Sequence, residues 1–307
     1  MLHILSIVLP VFGLIALGYG ARRVKLVLDR TGDGLSDYVF TIAVPALIFK
    51  TLTAADLPAS QPWGYWLAYF SAVIIVWSLA MLIGHRVFKL VRMDNIVTGF
   101  SAAQANTVMV GIPLILEAYG KPGAVPLFLL IAIHLPIMMT AATIMAEKGQ
   151  AHWKRMIRQL LLHPILLAIF ISTAFRLSGL PVPVALKTII DMLGASAIPC
   201  ALFAMGIALY RYGIGEDFKI AATITALKLI LHPLLVYIFA FHVFSMPPVW
   251  AGVAVLFAAS PAGVNAYLFA ERYRAGARIA SSAIALSTGL SVITTAFWLA
   301  FLGVGFH

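Results

Sequence analysis

Two prolines in this sequence, Pro113 and Pro261, stand inside long apolar runs, and each has a glycine and an asparagine close by. The first run reads Ser101-Ala-Ala-Gln-Ala-Asn106-Thr-Val-Met-Val-Gly111-Ile-Pro113-Leu, and the second Ala258-Ala-Ser260-Pro261-Ala-Gly263-Val-Asn265-Ala-Tyr267. Proline removes a backbone donor and clashes with the carbonyl four residues back. Helices through these runs are therefore expected to free the carbonyls of Met109 and Phe257. Gly111 and Gly263 would let the chain unwind and let a second backbone or a ligand approach. A half-helix restarting after each break turns unpaired N–H groups and a positive dipole end toward mid-membrane, which suits a carboxylate. Asn106 and Asn265 flank the breaks, each with two donors and an acceptor. The expected anion site is thus Asn106, Gly111, Pro113, Pro261, Gly263 and Asn265. The plainer alternative is that the prolines only kink two helices while the asparagines bond the freed carbonyls.

Three further polar groups fall within apolar runs. Lys228 and His232 are four residues apart and share one helix face. The lysine could balance a bound carboxylate or change its own protonation. Lying about ten residues into its helix, it could instead snorkel to the membrane edge. His134 has a side chain suited to proton coupling, as does His232, although a packed, hydrogen-bonded core role is the alternative for a lone histidine. No cofactor is expected, Na+ or H+ remaining open as a coupling ion. One cysteine, Cys200, excludes an internal disulfide and gives no metal cluster.

Such groups need elements that hold them in lipid. The chain of 307 residues is 62% hydrophobic and 10% charged, with mean hydropathy +1.01. A soluble domain carries about 25% charged residues, so lipid must solvate this fold. The apolar runs have helical length and lack the short alternating strands of a barrel. Ten spans are expected, at about 3–21, 34–53, 64–88, 95–119, 123–146, 160–179, 184–210, 218–243, 249–271 and 278–303.

The halves repeat. Adding 154 to a position takes Pro10 to Pro164, Arg22 to Arg176, Asp37 to Asp191 and Pro45 to Pro199; Pro113 and Pro261 pair at an offset of 148. Five spans per half is an odd number, so the repeat is inverted, and breaks at matching points of an inverted repeat are a pointer to a transporter site. The domains expected are 1–147 for the first repeat, 148–159 for a cytoplasmic linker and 160–307 for the second repeat. The net charge of +10 does not call for a nucleic acid. Sixteen lysines and arginines fall in the odd-numbered connections and four in the even-numbered ones, a positive-inside pattern that puts both termini outside, in the periplasm of a cell (inner) membrane.

The sequence resembles a known family. Asn106-Thr-x-x-x-Gly111-Ile-Pro113-Leu is similar to the crossover helix of the auxin efflux carrier family, which includes plant PIN proteins and bacterial malonate-carrier-like members. Pro261-x-Gly263-x-x-x-x-x-Phe269-Ala270-x-x-Tyr273, with Ser281-Ser282 and Leu286-Ser287-Thr288, resembles its second crossover and last helix. The resemblance spans essentially the whole chain. It implies an all-α membrane fold of ten helices in a 5+5 inverted repeat and an elevator-like carrier of small organic anions. Spans 1, 2, 6 and 7 would be the scaffold and spans 3–5 and 8–10 the transport domain, in a homodimer. It carries Asn106, Pro113 and Pro261 as site residues; Asn265 rests on the local sequence. The expected cargo is a mono- or dicarboxylate such as malonate, with an aromatic, auxin-like acid as the alternative. A membrane sensor of such acids is a further alternative. H-E-x-x-H, G-x-G-D and aspartate-rich metal motifs are absent from the sequence, so an intramembrane enzyme has no residues to stand on.

Overall fold

The computed structural model describes residues 2–55, 63–147, 158, 161–213, 215 and 217–304. The expected linker 148–159 lies, apart from Arg158, outside the described residues. The described chain is helical: α1 (Leu2–Arg23), α2 (Asp29–Tyr38), α3 (Val44–Thr53), α4 (Trp63–Arg86), α5 (Arg92–Ala103), α6 (Ile112–Ala146), α7 (Pro164–Ser178), α8 (Val184–Tyr212), α9 (Phe218–Ala226), α10 (His232–Tyr237), α11 (Pro248–Ala259), α12 (Val264–Tyr273) and α13 (Ala277–Phe301). No strand occurs among the described residues beyond one isolated bridge.

Wider π turns at Val39–Ala43, Thr107–Gly111 and Leu227–Leu231 run into α3, α6 and α10 without a loop. Each is followed at the second residue of the next helix by a proline: Pro45, Pro113 and Pro233. The sequence explains this placement. A proline ring collides with the carbonyl four residues back, and one extra residue in the preceding turn swings that carbonyl aside. These prolines widen their helices without ending them.

Among the described residues, seven helical stretches are long and apolar enough to cross a membrane: His3–Arg23, Asp29–Thr53, Trp63–Arg86, Thr107–Ala146, Val184–Tyr212, Phe218–Val243 and Ala277–Phe301. Large apolar side chains such as Leu9, Ile74, Met192 and Ile293 are more than half exposed on them, as lipid contact requires. The protein is a multi-pass membrane protein. Seven differs from the expected ten for physical reasons. Thr107–Ala146 is a 40-residue run bent at Gly120, whose φ of 56° and ψ of −142° are not helical. It joins part of expected span four to span five. Pro164–Ser178 and Pro248–Ala259 are apolar but shorter, because the first ends at the left-handed Gly179 and the second at a break.

Two sets of helices pack closely. In one, α8 lies along α1 and beside α2 and α3, and α3 packs on α7. The α1–α8 contact is backbone on backbone: a Cβ on Gly206 would lie 2.1 Å from the Ile15 carbonyl oxygen, and one on Gly18 2.2 Å from that of Phe203. Arg211–Asp33 (3.0 Å) and Lys50–Asp191 (3.1 Å) tie α2 and α3 to α8. In the other set α4 packs on α5, α6 and α10 on α11, and α9 on α13.

Candidate functional site

The chain unwinds at two points, and the unwound segments meet. α5 ends at Ala103, Gln104 is extended (φ −79°, ψ 118°), and helical turns resume at Thr107. α11 ends at Ala259, Ser260 is extended (ψ 146°), a conformation that the following proline favours, and α12 starts at Val264. Asn106 N donates to the Pro261 carbonyl at 2.8 Å and Gly263 N to the Gln104 carbonyl at 2.9 Å, forming an antiparallel bridge between Ala105 and Ala262. Each break thereby satisfies part of the other's backbone, which lipid could not do. Ser287 of α13 accepts from Ala262 N at 3.0 Å, and the Ser260 hydroxyl donates back to the Leu256 carbonyl at 3.1 Å.

The two starts after these breaks, at Thr107 and Val264, carry no side-chain cap. Backbone bonds take up part of each start: Thr107 N donates to the Ala105 carbonyl and Ala266 N to the Gly263 carbonyl, both at 2.9 Å. Residues 95–115 and 251–264 are all buried, so the junction lies within the packed interior.

The expected residues are distributed unevenly about this junction. Pro261 and Gly263 lie in the second unwound segment. Asn106 ends the first; it is 2% exposed and its Nδ2 lies 3.3 Å from the Met205 sulfur of α8, a weak acceptor. Gly111 faces the second break, since a Cβ there would come 3.3 Å from the Ser260 hydroxyl. Asn265 is half-buried in the first turn of α12. Pro113 is displaced from the expected role: the first break lies upstream of it, and it sits in the first turn of α6 behind the π turn that accommodates it. The bridge pairs Ala105 with Ala262, an offset of 157 and not the 148 that joins the two prolines.

Gln104 was not singled out in the sequence, although it stands in the same polar run. It is fully buried, and neither its Oε1 nor its Nε2 has a hydrogen-bond partner.

Beside the second break is a buried basic cluster. Lys228 is fully buried, its Nζ donates to the Ala258 carbonyl near the C-terminal end of α11, and it lies 3.3 Å from His232 Nδ1. Snorkelling is thereby excluded for this side chain. A cation at a helix C-terminus complements the dipole. The Tyr69 ring stands 5.4 Å from the His232 ring and 5.5 Å from that of His134, linking α4, α6 and α10. Both nitrogens of His134, His232 Nε2 and the Tyr69 hydroxyl are buried without partners. Among the described residues no carboxylate forms an ion pair with Lys228, and no group of three or more potential metal ligands occurs.

The family model described as "Membrane transport protein", that of the auxin efflux carriers, matches residues 3–299. The chain belongs to this family. Relatives of this membrane transport protein cover it almost end to end. It is 31% identical over 304 residues to a Rhizobium meliloti protein named "Putative malonate transporter", covering 96% of this chain and 94% of that one. An "Uncharacterized transporter" of Methanothermobacter thermautotrophicus is 23% identical, with 95% and 96% covered. "Uncharacterized transporter YfdV" of Escherichia coli strain K12 is 22% identical, with 95% of each chain covered. The family and these names indicate a membrane transporter rather than an enzyme.

Proposed function

We propose that the protein is a secondary carrier of a small organic anion, a mono- or dicarboxylate such as malonate, bound where the two unwound segments meet. The observation that carries this reading is the Ala105–Ala262 bridge, which brings two uncapped helix starts and Asn106 to one buried point. The name of the Rhizobium relative favours malonate as cargo. The apolar residues around the junction, Val108, Met109, Val110, Ile112 and Val264, favour a second reading, an aromatic or branched acid.

In this reading the chain forms ten spans in a 5+5 inverted repeat, residues 1–147 and 160–307, with the interrupted helices as crossovers. α1, α2–α3, α7 and α8 are the scaffold, and α4–α6 with α9–α13 move past it as an elevator. The close α1–α8 packing supports a rigid scaffold, and the burial of the junction requires a movement to admit substrate. A moving half needs a braced partner, so the carrier is a homodimer. Both termini face outward from the inner membrane. Cysteines placed at Lys121 and Pro181 should react with an impermeant reagent from outside and one at Gln150 from inside, and mass photometry in lipid discs should find two copies. Outside labelling at 150 or a monomer would refute the corresponding half of this architecture.

Asn106 and Asn265 donate to the substrate carboxylate, and Lys228 balances its charge from one helical turn away. His134 and His232 carry a coupling proton. Losing a donor to a charged group costs about 1.5–3 kcal/mol, roughly ten- to a hundred-fold in affinity. Asn106→Ala and Asn265→Ala should each weaken malonate binding by that factor in a thermal-shift titration, with folding intact. His134→Ala should keep the affinity and change the pH dependence of uptake. If both asparagine variants bind and transport like the parent, the substrate site lies elsewhere.

A further inference from the structure

The buried amide of Gln104 is the least explained polar group near the junction. Its backbone belongs to the bridge, since its carbonyl accepts from Gly263 N at 2.9 Å. Its side chain leans over the opposite break: a Cβ on Gly263 would lie 3.0 Å from Gln104 Cγ. Yet the amide, fully buried, pairs with nothing at either end. Buried polar groups are nearly always paired, and one left unpaired in a low-dielectric interior weighs heavily against the folded state. Ser101, three residues earlier in α5, repeats the pattern with a fully buried, unpartnered hydroxyl.

The surrounding charge narrows what can pair with this amide. Among the described residues Lys228 is the fully buried cation, with its Nζ already on the Ala258 carbonyl and beside His232. Before a coupling proton is taken up, one cation and two helix starts suit a single negative charge; a second full carboxylate would enter uncompensated. An amide offers both a donor and an acceptor. Nε2 can donate to a carboxylate, while Oε1 asks for a ligand that donates in return. A dicarboxylic acid that keeps one proton meets both demands, because its ionised end accepts and its protonated end donates.

We propose that Gln104 selects the substrate by its hydrogen-bonding pattern, taking a monoanion that carries a carboxylate at one end and a hydrogen-bond donor at the other, as in a singly protonated dicarboxylic acid. This rests on the reading of the junction as a carboxylate site. A site built to pair a donor rejects the analogue lacking it, since its own acceptor is then stranded.

The test compares two monoanions of similar size. Malonamate ends in an amide N–H, and monomethyl malonate ends in an ester that cannot donate. The purified protein should bind malonamate roughly ten- to a hundred-fold more tightly than monomethyl malonate. In Gln104→Met the preference should shrink to about threefold or less, with thermal stability kept or raised because a stranded amide has been removed. Gln104→Leu serves as the second variant if methionine disturbs the fold. Equal binding of both compounds by the parent protein overturns the selection while leaving the carboxylate site standing. Persistence of the preference in a folded Gln104 variant does the same. Failure of malonate, malonamate and the ester all to bind overturns the carboxylate site itself, and the selection with it.

Discussion

Gly263→Val should leave the protein in the membrane and abolish carboxylate uptake into proteoliposomes. The reason is spatial. A Cβ at this position would lie 2.7 Å from the Ala105 carbonyl oxygen, 3.0 Å from its carbon and 3.0 Å from Gln104 Cγ. Two of these three neighbours are backbone and cannot rotate away. The breaks would have to separate, losing the bond from Gly263 N to the Gln104 carbonyl and straining that from Asn106 N to Pro261. Overpacking typically costs about 1–3 kcal/mol and each lost hydrogen bond about 1 kcal/mol. Together these amount to roughly a hundred-fold or more in the population of the closed junction. Gly263→Ala should show an intermediate loss of about tenfold. Gly289→Ala on α13 is the matched control, because a Cβ there meets nothing within 4 Å. Normal uptake by the valine variant would mean that the paired breaks are not where substrate passes.

The two breaks were not equally legible in the sequence. The second has a local signal: Ser260 precedes Pro261, and a following proline biases a residue away from the helical region. The first has none within it. Gln104-Ala105-Asn106 contains neither glycine nor proline, and its extended form is held by backbone bonds from residues more than 150 positions away. Pro113, the local signal, does something else, widening the turn ahead of it as Pro45 and Pro233 do. Matching prolines by type therefore gave an offset of 148, whereas the backbone pairs residues 157 apart. The helical class and the membrane setting followed from composition, which acts over the whole chain. The partner of Lys228 did not, because the Ala258 carbonyl comes from another helix and any snorkelling argument considers one helix alone.

That partner makes Lys228→Met the more informative of the lysine variants. A fully buried ammonium without a carboxylate carries a large desolvation cost, so an apolar side chain of similar length should fit without loss of volume. Against that gain, the Ala258 carbonyl loses its donor, a cost of about 1–3 kcal/mol. The two effects oppose each other, and thermal stability should change by only a few degrees. Transport should not be spared. Without this cation a carboxylate entering the junction has the helix starts and amides alone to offset its desolvation, and truncating one partner of a buried charge interaction costs about 2–5 kcal/mol in binding. Uptake should fall roughly a hundred-fold or more. Lys228→Ala is a poorer probe, because it opens a cavity whose cost would confuse lost stability with lost charge. A Lys228→Met protein that is stable and transports like the parent would remove the lysine from substrate binding and leave it as a cap on the end of α11. A stable protein that binds no carboxylate would place the charge balance at Lys228.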